Sequence, residues 1–244
     1  LASARMAASH PGLTWAQETV TGRAWLDRLP ALLDECVDRW SLDVGDPFPY
    51  ACASFALPGR TADGEDVVLK ICFPRRESEH EGDALAAWDG AGAVRLLAQD
   101  RKRWALLIER CQPGTPLREL GLEGALDVAV RLLPKLWVPA SAPFRSLTEE
   151  AAHWADSLSW NWERMNRPFA KKLLDAALGL LAELAPTQGE QVLVHQDMHA
   201  DNILRANREP WLAIDPKPRM MFVPVALTKL TPAGSVSTTL TADA

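Results

Sequence analysis

The chain has 244 residues, enough to bury a substantial core as one domain or two small lobes. Apolar residues make up 48% and charged residues 24%, an ordinary soluble balance, and a formal charge of −6 argues against general nucleic-acid binding, which needs a basic face. No stretch reaches the roughly 20 apolar residues of a membrane span, and Leu1-Ala-Ser-Ala-Arg-Met6 shows no secretory leader pattern.

Residues 24–40 carry Trp25, Leu29, Leu32, Leu33, Val37 and Trp40 at helical spacing, and Pro30 predicts a split into two short helices. Residues 48–57 read as a strand, Pro58-Gly-Arg-Thr-Ala-Asp-Gly64 as a turn, and Asp66-Val-Val-Leu-Lys-Ile-Cys-Phe73 as a second strand ended by Pro74. Residues 75–88 are charged and helical, with Leu85 and Trp88 facing inward. Residues 93–98 and 104–109 flank a polar turn and predict a hairpin. Gln112-Pro-Gly-Thr-Pro116 then breaks the pattern as a linker between lobes.

Helical periodicity dominates residues 117–184, interrupted by Pro134 and by residues 139–143. Three short apolar runs follow, around Val192, Ile203 and Trp211. The layout predicts an α+β, two-lobed fold. Its expected parts are a helical segment 1–45, a β-rich lobe 46–112, a helical lobe 113–218 and a tail 219–244. Cys36, Cys52, Cys72 and Cys111 form no CxxC pair, and they read as buried thiols in a reducing cytoplasm.

The last runs place polar groups at strand ends: Asp197 and Asn202 within His195-Gln-Asp-Met-His-Ala-Asp-Asn202, and Asp215 one hairpin later. An acid, an asparagine and a second acid in this order are what a kinase-type phosphoryl-transfer site needs. Asn202 and Asp215 can each offer an oxygen to Mg²⁺, which shares its octahedron with phosphate and water. Asp197 can then take or orient the proton of an attacking hydroxyl. His195 is expected to pack beneath the loop, while His199 and Asp201 face substrate or water.

Lys70 lies on an otherwise apolar strand, where an unpaired ammonium is costly. It calls for an anion, either an ATP phosphate or a glutamate of the next helix, Glu81 first and Glu77 in reserve. The backbone from Glu109 to Cys111 closes the β-rich half and offers hydrogen bonds to an adenine edge. Gly90-Ala-Gly92 begins a dinucleotide-type pattern, but Arg95 stands in the third glycine's place, and no P-loop pattern occurs. His195-x-Asp-x-His199 also has metal-ligand character, so a zinc hydrolase is the rival class. Glu149, Glu150, Asp156 and Glu163 either line a cationic-substrate pocket or form a solvated helix face, and the second is expected. The ten tryptophans read as core and interlobe packing.

Val67-Val-Leu-Lys70, His80-Glu81, Leu106-Leu-Ile-Glu109 with Pro113-Gly-Thr, the His195 to Leu204 loop and Ile214-Asp-Pro-Lys-Pro218 together resemble the aminoglycoside phosphotransferases. The Asp-Pro-Lys-Pro run points to the streptomycin 6-kinase and hydroxyurea phosphotransferase branch. The resemblance spans about residues 46–218 and implies a protein-kinase-like fold, MgATP between the lobes and a hydroxyl-bearing antibiotic below it. It matches Asp197 to the catalytic base, Asn202 and Asp215 to the Mg²⁺ ligands, Lys70 to the phosphate-binding lysine and Glu81 to its partner. Lys217 falls in the shared run without an assigned role. Residues 48–57 lack the glycines of a phosphate cover. From Arg219 the chain departs from the family pattern and turns rich in Ser, Thr and Pro, so a truncated helical lobe or a frame change after Pro218 is expected, with a poorly ordered tail.

Overall fold

The computed structural model describes residues 10–49, 54–187, 189 and 191–222. After a 3-10 segment, Pro11–Glu18, the first helix is α1, Val20–Trp40, and Pro30 does not divide it. Thr19 caps it, its Oγ1 accepting the Gly22 N–H at 3.0 Å. Trp25, Leu29, Leu32, Leu33 and Cys36 form a continuous buried stripe against Phe55, Leu57, Val67, Leu69 and Ile71. That burial outweighs the roughly 3 kcal/mol that a helix-interior proline costs.

The short β1, Asp43–Val44, leads to β2, Ser54–Arg60, and β3, Asp66–Cys72. The turn is shorter than expected, because Pro58, Gly59 and Arg60 pair with Val68, Val67 and Asp66. An Arg60–Asp66 ion pair at 2.8 Å helps close the hairpin. The helix α2, Glu81–Trp88, starts six residues later than predicted from residue 75, since residues 75–80 form turns. Its C-terminus leads to β4, Leu96–Asp100, and β5, Ala105–Glu109. The sheet order is β1-β2-β3-β5-β4, antiparallel throughout, which makes β3 an interior strand rather than an edge.

Alternation along β3 sorts its side chains. Val67, Leu69 and Ile71 join the α1 core, whereas Val68 and Cys72 pack into a second core with Leu85, Trp88, Leu106 and Ile108. Lys70 lies between Val68 and Cys72 in this period, so it points toward the second core.

The helical half contains α3, Gly121–Leu136, α4, Leu147–Arg164, and α5, Lys171–Leu184. Pro134 sits inside α3 instead of ending it; the carbonyl four residues back belongs to Val130, which faces solvent, while Leu132 and Leu136 hold the last turn in the core. A Ser146–Glu149 capping box starts α4. Antiparallel pairs follow: β6, Gln191–Val194, with β9, Arg219–Phe222, and β7, Ile203–Arg205, with β8, Trp211–Ala213. The segment expected to be a loose tail therefore begins as a paired strand, and residues 223–244 lie outside the described residues.

The second core runs through both halves, bringing Leu193, Ile203, Leu212 and Ala213 against Trp88, Ala93 and Val94. Backbone bonds fix the junction: Val94 N–H donates to Ala213 O at 3.0 Å, and Ala213 N–H to Gly92 O at 2.9 Å. Large apolar side chains of α3 and α5 remain exposed, including Leu122, Leu126, Leu173, Leu180 and Leu184. Among the described residues, no helix is long and apolar enough to cross a membrane. Cys36, Cys72 and Cys111 are free thiols, and Cys52 is outside the described residues.

Candidate active site

The loop between β6 and β7 is built on His195. Its ring is 3% exposed and stacks on Trp88 with centroids 6.0 Å apart. Its Nε2 donates to the Ile214 carbonyl at 2.9 Å, and the His195 carbonyl accepts the Lys217 N–H at 2.9 Å. One residue thus joins the start of the loop to both sides of Asp215. Burial lowers its pKa to about 4, which keeps the ring neutral at pH 7. Among the described residues no group of three or more His, Cys, Asp or Glu side chains is placed to hold a metal ion, so the zinc-hydrolase reading falls. His199 is half exposed in the loop, and Asp201 pairs with Arg118.

Asn202 is 7% exposed, and its Nδ2 donates to the Asp197 carbonyl at 3.0 Å and to Asp197 Oδ2 at 3.3 Å. The amide oxygen is thereby turned away from Asp197. The Asn202 carbonyl accepts the Ile214 N–H at 2.9 Å, locking the loop to the strand that delivers Asp215. Two residues here adopt left-handed backbone, Gln196 at φ 63° and Asp215 at φ 56°. Such conformations are uncommon outside glycine and persist where surrounding structure enforces them.

Lys70 is 6% exposed and its Nζ is 2.5 Å from Glu81 Oε1. Glu81, the preferred partner, is itself 2% exposed; Glu77 instead pairs with Arg75. The same ammonium bonds Asp215 Oδ1 across the lobes. Burial works against the Lys70 charge, but Asp215 and Glu81 overcome it and hold the ammonium above its ordinary pKa. Burial likewise opposes charge on Asp215, and Lys70 and Lys217 prevail, holding the carboxyl well below the usual range. Lys217 Nζ lies 2.8 Å from Asp215 Oδ2 and 3.7 Å from Asp197 Oδ2. A line of alternating charge results: Glu81, Lys70, Asp215, Lys217, Asp197.

Asp197 ends this line at a cavity of about 670 Å³, where Arg75, Arg76, Glu150, His153, Trp154 and Arg219 also contribute walls. Glu150 corrects the expectation of a solvated face. It is 1% exposed, and its Oε1 meets Arg145 Nε at 2.8 Å, Arg76 Nη2 at 2.9 Å and Arg219 Nε at 3.2 Å. Burial opposes its charge, and Arg219, Arg76 and Arg145 together keep its pKa low. Glu149, Asp156 and Glu163 do face solvent.

At the end of β5 the Glu109 side chain turns to Arg208, not to the cleft, while its backbone N–H donates to Arg95 O at 2.9 Å. Cys111 is half-buried, and burial, then Glu109, push its thiol up to about 12. The structure therefore brings Lys70, Glu81, Asp197, Asn202 and Asp215 together and sets Glu109 and Cys111 at the strap between lobes. Sequence reasoning missed Arg208 and the Glu150 cluster. Nothing in Asn207-Arg-Glu209 or beside the capping box distinguishes them from ordinary surface charge.

The sequence profile of the aminoglycoside/hydroxyurea antibiotic resistance kinases matches residues 39–221. A hydroxyurea phosphotransferase from Kitasatospora aureofaciens is 38% identical over 201 residues, covering 81% of this chain and 59% of the relative. A streptomycin 6-kinase from Streptomyces griseus is 38% identical over 199 residues, covering 81% and 64%. The chain thus spans about three fifths of the length of these relatives. Among solved structures, the choline kinase LicA from Streptococcus pneumoniae superimposes with a TM-score of 0.56 at 16% identity, covering 79% of this chain and 70% of that one. The macrolide 2'-phosphotransferase MphH from Brachybacterium faecium gives 0.53 at 17% identity, covering 84% and 80%. The fold is protein-kinase-like, and the chain belongs to the aminoglycoside/hydroxyurea antibiotic resistance kinase family.

Proposed function

We propose that this chain transfers the γ-phosphoryl group of ATP to a hydroxyl of a small molecule, an aminoglycoside of the streptomycin type. The observation that carries the reading is the alternating line from Glu81 to Asp197, which spans the lobes and ends at the cavity. Relatives named streptomycin 6-kinase and hydroxyurea phosphotransferase support it, and the fold neighbour LicA, determined in complex with AMP, supports nucleotide use. The acceptor class rests on the relatives.

On this reading Lys70, held by Glu81, binds nucleotide phosphate, and the backbone from Glu109 to Cys111 borders the adenine. Asp197, with its side chain 40% exposed, faces the cavity and takes the hydroxyl proton. Asn202 and Asp215 offer one amide and one carboxylate oxygen, a hard-oxygen pair suited to Mg²⁺, and Asp215 already holds cations on both oxygens. When bound, the metal supplies charge neutralisation to the phosphates. The free thiols suit a reducing cytoplasm.

The test is single-turnover transfer of labelled phosphate from MgATP to streptomycin at high enzyme. Absence of labelled antibiotic rejects the acceptor. A second reading, a protein that binds nucleotide without transferring phosphate, is favoured by the exposed apolar side chains of α3 and α5, which leave the helical lobe incompletely covered. Stabilisation by MgATP with no phosphate transfer to any hydroxyl in a panel would select it.

A further inference from the structure

We infer that Lys217 is a catalytic residue whose ammonium binds the phosphoryl group in transit between nucleotide and acceptor. The inference rests on the phosphoryl-transfer reading above and adds to it a group that neither the kinase pattern nor the relatives' names assign. Asp215 carries one lysine on each oxygen, Lys70 on Oδ1 and Lys217 on Oδ2. The two differ in what lies behind them. Lys70 is backed by Glu81 at 2.5 Å on the nucleotide side. Lys217 is backed by Asp197 at 3.7 Å, too far for a hydrogen bond, on the cavity side.

Two of the three Lys217 N–H groups go to Asp215, to Oδ2 at 2.8 Å and to the carbonyl at 3.2 Å. The third has no acceptor among the described residues. The side chain is only 13% exposed, so an unspent donor on a largely buried ammonium invites an anion. The backbone fixes its place, since the Lys217 N–H is held by His195 O at 2.9 Å. The ammonium stands between Asp215, which Lys70 also holds, and Asp197 at the cavity.

The chemistry needs a cation there. A new bond forms between the acceptor oxygen and the γ-phosphorus, and the bond from that phosphorus to the β–γ bridging oxygen breaks, its electron pair leaving with ADP. The hydroxyl proton goes to Asp197. In the loose transition state negative charge stays spread over the three equatorial oxygens while more builds on the β–γ bridging oxygen, and a fixed ammonium beside the phosphoryl group holds that charge and keeps its own proton. Residues 48–57 contain no glycine to cover the phosphates from above, so a contact from below has more to do here.

The experiment compares binding of Mg·ADP with that of the Mg²⁺ complex of the β,γ-methylene analogue of ATP, by calorimetry, in the full chain and in Lys217→Met. A contact to the γ-phosphoryl alone predicts about a tenfold loss of affinity for the triphosphate analogue, with ADP affinity held within about twofold. A lysine that only supports Asp215 would weaken both nucleotides alike or neither, and either result overturns the inference. A second measurement needs no variant: acetylation of Lys217, followed by mass spectrometry, should be blocked by the triphosphate analogue and much less by ADP. Equal labelling with both nucleotides overturns the inference while nucleotide binding itself stands. If the wild-type chain binds neither nucleotide, the phosphoryl-transfer reading fails, and the Lys217 assignment with it.

Discussion

Arg208 grips Glu109 with both arms of its guanidinium, Nε to Oε1 and Nη2 to Oε2, each at 2.9 Å, across 99 residues of sequence. The same guanidinium donates to the carbonyls of Gly90 at 2.7 Å and Ala93 at 2.9 Å. One side chain in the β7–β8 turn thereby holds the end of β5 and the segment joining α2 to β4. Arg208→Ala would leave the Gly90 and Ala93 carbonyls without this donor and the Glu109 carboxylate with the Arg95 N–H alone. Because both side chains are about a fifth exposed, water takes up part of the loss, and we expect about 2 kcal/mol of destabilisation in urea unfolding. A change under about 0.5 kcal/mol, the scale of an ordinary surface site, would show that the clasp contributes nothing.

Glu150 should be costlier to alter than its neighbour in sequence. Glu150→Ala strands the buried Arg219 guanidinium and removes a partner from Arg76 and Arg145, so a loss of about 3 kcal/mol is expected. Glu149→Ala removes one exposed cap and should cost about 1 kcal/mol. Equal losses in chemical denaturation would mean that Glu150 is not the charge that holds these arginines.

For Asp197 the expectation separates binding from chemistry. Asp197→Asn should lower the transfer rate by about 10²–10⁴ if this carboxylate takes the proton, yet MgATP should raise the melting temperature of the variant as it does for wild type. The control is Lys70→Met, which should diminish that nucleotide-induced shift. An active Asp197→Asn protein would remove the general-base role.

His195 gives a pH signature. Its folded pKa, about 4, lies below the ordinary 6.5, so the unfolded chain binds the extra proton between these values. Stability from the neutral buried ring is complete above about pH 6.5 and is lost as pH falls toward 4, by up to roughly 3 kcal/mol. His195→Gln should flatten the slope of unfolding free energy against pH in this window. An unchanged slope would show that the ring titrates normally in the folded state.

Part of this arrangement is legible in the sequence. An apolar strand with one lysine, an acidic helix after it and the His195 to Asp215 spacing pointed to residues that the fold brings together, because strand ends and alternation place such residues locally. The element boundaries were less legible. Pro30 and Pro134 both sit inside helices, since burial of Leu29, Leu32, Leu33, Leu132 and Leu136 outweighs the local break. Residues 75–80 have helical composition but form turns, with Arg76 and Glu79 engaged by Glu150 and Arg145.

The sequence by itself singled out the residues of the candidate site and that Lys70 needs an anion, for these follow from residue type and short-range period. Only the tertiary structure decided which charges meet. Lys70 with Asp215 across 145 residues, Arg208 on Glu109 across 99 and Arg76 on the buried Glu150 across 74 join segments distant in the chain. Such pairs carry no local signal, because their energy exists only once water has been removed from between elements that the sequence keeps apart.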